Sequence, residues 1–380
     1  MTAHIVLLAS LAGLLLIGAP IAVACGLAGV AAILIGLDSY ALGMVGTTTY
    51  SSIASYPLIA IPLFILTGIV FERTGIGERL VTFARAIVGP RRGGLALVAL
   101  IVCLIMSGMS GSGPADAAMV ATIMVPAMTR AGYPPTFSAS VIAASGSIAI
   151  LIPPSIALIV YSLLVPGIDL RALFAAGIFP GLLAGLALAV PIVVISRLKG
   201  FGQEENEIRP PFWPSLWRAA PGLMAPVIIL GGLRSGLFTP TEVAVVAVCY
   251  GLLVGALTSR RLGLRDLYAM FADAAQISAV IMIIISLAAL FAWAGSTLGA
   301  FDATARWILS VTDSSAVILL FVMGVLLLGG MVLDGISIYL IALPLLIPIA
   351  THFGWNLTWF GVLMAMNIAI GQFTPPIAVN

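Results

Sequence analysis

The chain has 380 residues, 62% of them hydrophobic and 8% charged, with a mean hydropathy of +1.22 and a formal net charge of +2. No soluble domain has that balance, and nucleic-acid binding has no basic patch to rest on. Charge-free runs cover 5–37, 39–71, 131–168, 172–196, 274–301 and 335–380. Each exceeds the roughly 20 residues that cross a bilayer, so the chain reads as an all-α polytopic membrane protein without a separate soluble domain.

In chain order, the N-terminus lacks a basic n-region and a convincing cleavage site, and reads as the first membrane segment. Residues 4–36 predict two helices with a break at Gly18-Ala19-Pro20, and 47–71 predict one further span. In 72–92, seven charged residues including Arg73, Arg79, Arg85, Arg91 and Arg92 interleave with Leu80, Phe83 and Ile87, as in a helix lying on the membrane surface. Residues 94–130 hold two short apolar runs joined at Ser107-Gly-Met-Ser-Gly-Ser-Gly-Pro114, a re-entrant hairpin. Residues 134–165 predict a helix broken at Pro153-Pro154. A connecting span and a polar cytoplasmic linker fill 166–220.

The pattern then recurs. Shifted by 222, residues 126–154 align with 348–376 without a gap, and eight of 29 positions are identical, including Pro126/Pro348, Gly132/Gly354, Pro153/Pro375 and Pro154/Pro376. Chance would give roughly two or three. The first repeat is thus 1–165, with scaffold helices at 1–71, and the second is 221–380. The second has scaffold helices at 222–293, an arm helix at 296–313, a hairpin at 315–350 and a broken helix at 357–380. Asn380 corresponds to Leu158, so the repeat predicts a parent chain about 40 residues longer, and a second repeat that is C-terminally truncated here. The arm at 72–92 carries five Arg and its counterpart one. The loop 37–46 carries none, and 258–266 carries Arg260, Arg261 and Arg265. Opposite bias in matching loops predicts repeats of inverted topology, with 72–92, the linker and 258–266 on the cytoplasmic side. Interrupted apolar segments at matching positions point to a transport site between repeats.

The hairpin and Pro-Pro motifs resemble the large membrane subunit of tripartite ATP-independent periplasmic (TRAP) transporters. The resemblance rests on Ser107 to Ala118, Val125-Pro126-Ala-Met, Ala149-Ile-Leu-Ile-Pro-Pro-Ser155 and Asn367-Ile-Ala-Ile-Gly-Gln-Phe-Thr-Pro-Pro376. It implies a sodium-coupled importer of organic acids such as C4-dicarboxylates or sialic acids, of the elevator type, in the bacterial inner membrane. It also implies two partners, a four-helix small membrane subunit and a periplasmic substrate-binding protein. Gly113-Pro114 and Gln372 depart from the family pattern and bear on which substrate is accepted.

Sodium needs several oxygens, and unwound backbone supplies carbonyls without adding charge. Ser110, Ser112, Gly146 and Ile152, just before Pro153, are candidates for one sodium site. Gly330, Asp334, Asn367, Gly371 and Thr374 are candidates for the other. Ser110, Gly111, Ser112, Pro154, Ser155 and Pro376 are candidates for the substrate. Close helix packing by small residues is the bland explanation for the same pattern. Asp116 and Asp334 are the two acids within the hairpins; intramembrane carboxylates are functional candidates, but both also suit capping of the hairpin tips, Asp116 as the third residue of a helix capped by Gly113. With no Lys or Arg in the hairpins or broken helices except Arg130, anion binding would fall to helix N-termini near Pro114, Ser155 and Gly335. Cys25, Cys103 and Cys249 are expected as buried free thiols, and His4 and His352 as interfacial residues. A standalone sodium–anion symporter is the main alternative. An enzyme lacks a catalytic constellation, and a channel leaves the paired hairpins unexplained.

Overall fold

The structure, a computed structural model, describes residues 2–37, 39–202, 209–258, 263–376 and 380. Arg260 and Arg261, which enter the charge pattern above, lie outside these, as do Glu204, Glu205 and Glu207 of the polar linker. Among the described residues all regular structure is helical. That follows from long apolar runs, in which each backbone N–H and C=O must find its partner within the segment.

The first half runs α1 (Thr2–Leu16), α2 (Ile21–Gly36), α3 (Gly43–Ile53), α4 (Ala60–Arg73), α5 (Ile76–Val88), α6 (Gly94–Ser110), α7 (Gly113–Arg130), α8 (Pro135–Ser147) and α9 (Ile156–Leu164). A long helix, α10 (Leu170–Lys199), follows. The second half runs α11 (Phe212–Arg234), α12 (Pro240–Thr258), α13 (Leu264–Leu298), α14 (Ala300–Leu309), α15 (Ser315–Gly330), α16 (Gly335–His352) and α17 (Leu357–Gly371).

The 222 shift carries α7 onto α16 end for end, and the start of α8 onto the start of α17. The ends repeat in detail as well. Tyr133 N–H reaches back to Met128 O at 3.0 Å, and Trp355 N–H to Ala350 O at 2.9 Å. Each closes a Schellman-type stop around an equivalent glycine, Gly132 at φ +83° and Gly354 at φ +65°. Packing repeats too: α2 lies along α13, and α12 lies along α4. The two halves are thereby interleaved, not merely adjacent.

Three local readings need correction. The stretch 47–71 is not one span. It breaks after Ile53 and resumes as α4 at Ala60, with a short 3-10 turn at Tyr56–Ile59. Pro57 and Pro62 withhold two backbone N–H groups there, whereas the matching stretch of α13 has no proline and is continuous. The second half begins earlier than Pro221, because α11 starts at Phe212 directly after Pro210-Pro211 and carries Pro221 and Pro226 within it. Cys25 and Cys103 are buried, but Cys249 is exposed, on the outer face of α12.

The arm α5 is strongly one-sided. Ile76, Leu80, Phe83, Ala84 and Val88 are buried against α6 and α11, and Glu78 faces out. Arg209 holds its end, donating from Nε to Ala86 O at 2.8 Å and from Nη2 to Ile87 O at 3.2 Å. Across the scaffold, Arg73 of α4 pairs with Asp273 of α13.

Candidate functional site: a cavity between two hairpin tips

The first tip is the turn between α6 and α7. Gly111 sits there at φ +65°, and a Cβ on it would lie 2.3 Å from Pro154 O. Only glycine lets the tip lie on the break of the α8–α9 segment this closely. Gly111 O accepts from Ile156 N–H at 3.4 Å, a weak bond that ties the tip to the first N–H of α9. Ser110 locks the tip from inside: its hydroxyl donates to Asp116 Oδ1 at 2.6 Å and accepts from Ser112 N–H at 3.2 Å. The N-cap of α7 is Ser112 rather than Gly113, which moves Asp116 one residue further into the helix. Asp116 therefore holds the tip through the Ser110 hydroxyl and makes no capping bond to a backbone N–H.

The second tip is the turn between α15 and α16. Asp334 is the N-cap of α16. It accepts from Ile336 N–H at 3.1 Å and Ser337 N–H at 3.3 Å, and from the Ser337 hydroxyl. Asp334 matches Ser112 under the shift, while Asp116 matches Ile338. The two acids are thus not copies of one another. Behind this tip Gly330 and Gly371 touch; a Cβ on Gly371 would meet Gly330 Cα at 2.7 Å.

Both tips open onto one cavity of about 150 Å³. Hairpin one contributes Ser110 to Asp116, and hairpin two contributes Asp334 to Ile336. Ile156 and Ala157 add the start of α9, and Gln372 the end of α17. The scaffold side is Ile65, Gly68, Ile69 and Glu72 of α4 with Ile277 and Ile281 of α13. Gly68 is the point of closest approach, where a Cβ would fall 2.7 Å from Ser110 Cβ. Among the described residues, no side-chain hydrogen bond joins α4 or α13 to either hairpin.

Of the sequence candidates, Ser110, Gly111, Ser112, Asp116 and Asp334 line this cavity. The others do not. Gly146 packs behind the first tip, its carbonyl 2.8 Å from where a Gly113 Cβ would be. Ile152 lies against Gly181 of α10, and Pro154 is under Gly111. Ser155 is fully buried and caps α9, accepting from Leu158 N–H at 3.3 Å. Gly330 and Gly371 face each other, Thr374 donates to Ile370 O at 2.6 Å, and Pro376 is exposed. Asn367 donates to Met323 O at 2.9 Å, and its buried Oδ1 has no partner. Gln372 and Glu72 complete the polar lining; the sequence singled out Gln372 only as a departure bearing on substrate choice, and Glu72 was not a candidate. Nothing short of tertiary structure turns Glu72 toward the hairpins.

Three carboxylates line the cavity, Glu72, Asp116 and Asp334, and no Lys or Arg does so among the described residues. The first turns of α7, α9 and α16 all reach it. These turns offer N–H groups and partial positive charge, but several are already used. Ile156 N–H goes to Gly111, Leu158 N–H to Ser155, and Ile336 and Ser337 N–H to Asp334.

Residues 8–380 match the model of the tripartite ATP-independent periplasmic transporter, DctM component. The chain belongs to this DctM family. The chain is 34% identical over 375 residues to the Escherichia coli 2,3-diketo-L-gulonate TRAP transporter large permease protein, covering 99% of this chain and 88% of that one. It is 38% identical over 325 residues to the Pseudomonas aeruginosa C4-dicarboxylate TRAP transporter large permease protein, covering 86% and 76%. It is 36% identical over 367 residues to the isethionate TRAP transporter permease protein of Oleidesulfovibrio alaskensis, where it covers 96% of this chain and spans 58% of that protein's length. In fold it is similar to the Alcanivorax borkumensis YdaH transporter, with a TM-score of 0.62 at 14% identity, over 89% of this chain and 79% of that one. With six helices among the described residues long and apolar enough to cross a bilayer, this DctM chain is a multi-pass protein of the bacterial inner membrane.

Proposed function

We propose that this DctM chain is the large membrane subunit of a sodium-coupled importer of small organic anions, working with a periplasmic binding protein and a four-helix membrane subunit. The observation that carries this is the cavity: both hairpin tips reach it, three helix N-termini end at it, and no Lys or Arg lines it among the described residues. A further negative charge enters such a space only together with cations. Sodium, a hard cation, fits the donors present, which are oxygens. The Asp334 carboxylate and the Ser112 hydroxyl, both on residues of the cavity wall, are the side-chain oxygens that would hold it. Bound cation would supply the field that draws the anion's carboxylate to the helix ends.

Alternating access follows from what separates the two units. The hairpins and broken helices form one, and α1–α4 with α11–α13 form the scaffold. The scaffold face of the cavity is almost wholly apolar, with Gly68 as its smallest point. An apolar face without hydrogen bonds lets one unit slide on the other without breaking polar contacts. The two repeats cross the membrane in opposite senses in this scheme, so each tip faces its own side.

The test is uptake by the complete transporter in liposomes, with its binding protein and an inward sodium gradient. Uptake is expected to fall at least about tenfold when choline replaces sodium, the loss of roughly one cation-dependent charge contact. Unchanged uptake in choline removes the coupling.

A further inference from the structure

We infer that the cavity selects hydroxylated carboxylates over unsubstituted ones, with Gln372 and Asp116 as the residues that recognise the hydroxyl groups. This rests on the anion-import reading above and narrows it to a substrate class.

Two oxygens on the lining residues, Asp116 Oδ2 and Gln372 Oε1, are buried and lack a partner. The two residues are 2% and 3% exposed, too little for bulk water to compensate these oxygens. Buried acceptors left this way are costly unless a ligand brings donors. A carboxylate at neutral pH is acceptor-only. Against this wall an unsubstituted dicarboxylate sets oxygen on oxygen. A hydroxyl carries its own hydrogen, and can give it to Gln372 Oε1 or Asp116 Oδ2 while accepting from the Gln372 amide.

Both residues are held in place by other bonds. Asp116 is fixed by Ser110. Gln372 donates its backbone N–H to Ile368 O at 2.9 Å and accepts at its carbonyl from Asn380 N–H at 3.1 Å. Its side-chain amide lies beside Gly335, where a Cβ would meet Nε2 at 3.2 Å. Asp116 comes from the first hairpin and Gln372 from the end of the second broken helix, so the hydroxyl site exists only where the halves meet. The rest of the lining is mainly apolar and suits a carbon chain. A cation seated here would satisfy the same oxygens, but it would not tell apart two acids of equal charge and length.

Tartrate and succinate are such a pair, differing only in hydroxyls. Their binding to the full-length permease in lipid nanodiscs, with sodium present, is measured by calorimetry. Tartrate is expected to bind at least about tenfold tighter, the scale set by leaving a buried acceptor unpaired. Gln372→Met, similar in size and apolar, should weaken tartrate and spare succinate, so the preference collapses. Gln372→Asn should keep part of it. Thermal melts of the acid-free variants show whether each is folded. Equal affinities in the parent protein, or a preference that survives Gln372→Met, overturns the inference and leaves anion import standing. Binding of neither acid, nor of any other carboxylate, removes both.

Discussion

Gly111 and Gly132 share a positive φ but not their surroundings. Gly132 has nothing within 4 Å of where a Cβ would stand, whereas at Gly111 the Cβ would strike Pro154 O at 2.3 Å. Both pay the left-handed penalty for an L residue, about 1–2 kcal/mol. Only Gly111 adds a collision with backbone that cannot rotate away. Gly132→Ala is therefore expected to lower thermal stability by about that amount and to keep uptake near the parent level. Gly111→Ala should lose uptake by at least about a hundredfold, on the scale of an ångström's misplacement at a working site. Equal uptake by the two variants would mean that the tip does not need to rest on the Pro153-Pro154 break. Ser110 matters for a related reason: it engages Asp116 and the Ser112 N–H at once, so the tip's shape and the position of its acid are one property.

At the level of elements, α7 and α16 are copies that start differently. The α16 N-cap is a carboxylate bonded to two backbone N–H groups, while the Ser112 side chain makes no such bond at α7. Asp334→Ala should cost about 1 kcal/mol, up to about 2, read as a lower melting temperature. Asp334→Asn should restore most of it, since asparagine caps as well as aspartate does. If Asn restores stability but not sodium-dependent uptake, the charge of Asp334 is used beyond the cap. If both return, capping is its whole role. The scaffold shows the same divergence between copies. Two prolines break the first copy into α3 and α4, and α13 runs unbroken. Ser286 of α13 then holds the broken copy, donating to Thr49 O at 2.9 Å.

For the whole molecule, the proposed opposite orientation of the halves has a direct readout. Glu78 on α5 and Asp302 on α14 are both exposed and lie on matching arms. Single cysteines at these positions, in a background with Cys249→Ser, should react with a membrane-impermeant maleimide from opposite sides. Glu78→Cys is expected to label from the cytoplasm and Asp302→Cys from the periplasm. Labelling of both from one side would make the repeats parallel, and the sliding scheme would have no two-sided site to serve.

The sequence determined the membrane class, the period of 222, the hairpin turns at 107–114 and 329–334 and the helix broken at Pro153-Pro154. The reason is that these depend on local chemistry: apolar runs long enough for a bilayer, proline without an N–H, glycine free to take a positive φ. It also placed Ser110 to Asp116 and Asp334 where a site could form. Tertiary structure alone decided which of the candidates share a space. Gly330 and Gly371 met each other, Ser155 turned to its own helix, and Thr374 bonded back to Ile370. Gln372 and Glu72, far apart in the chain, came to the same cavity instead. No local pattern encodes that choice, because it depends on how one half of the chain packs against the other.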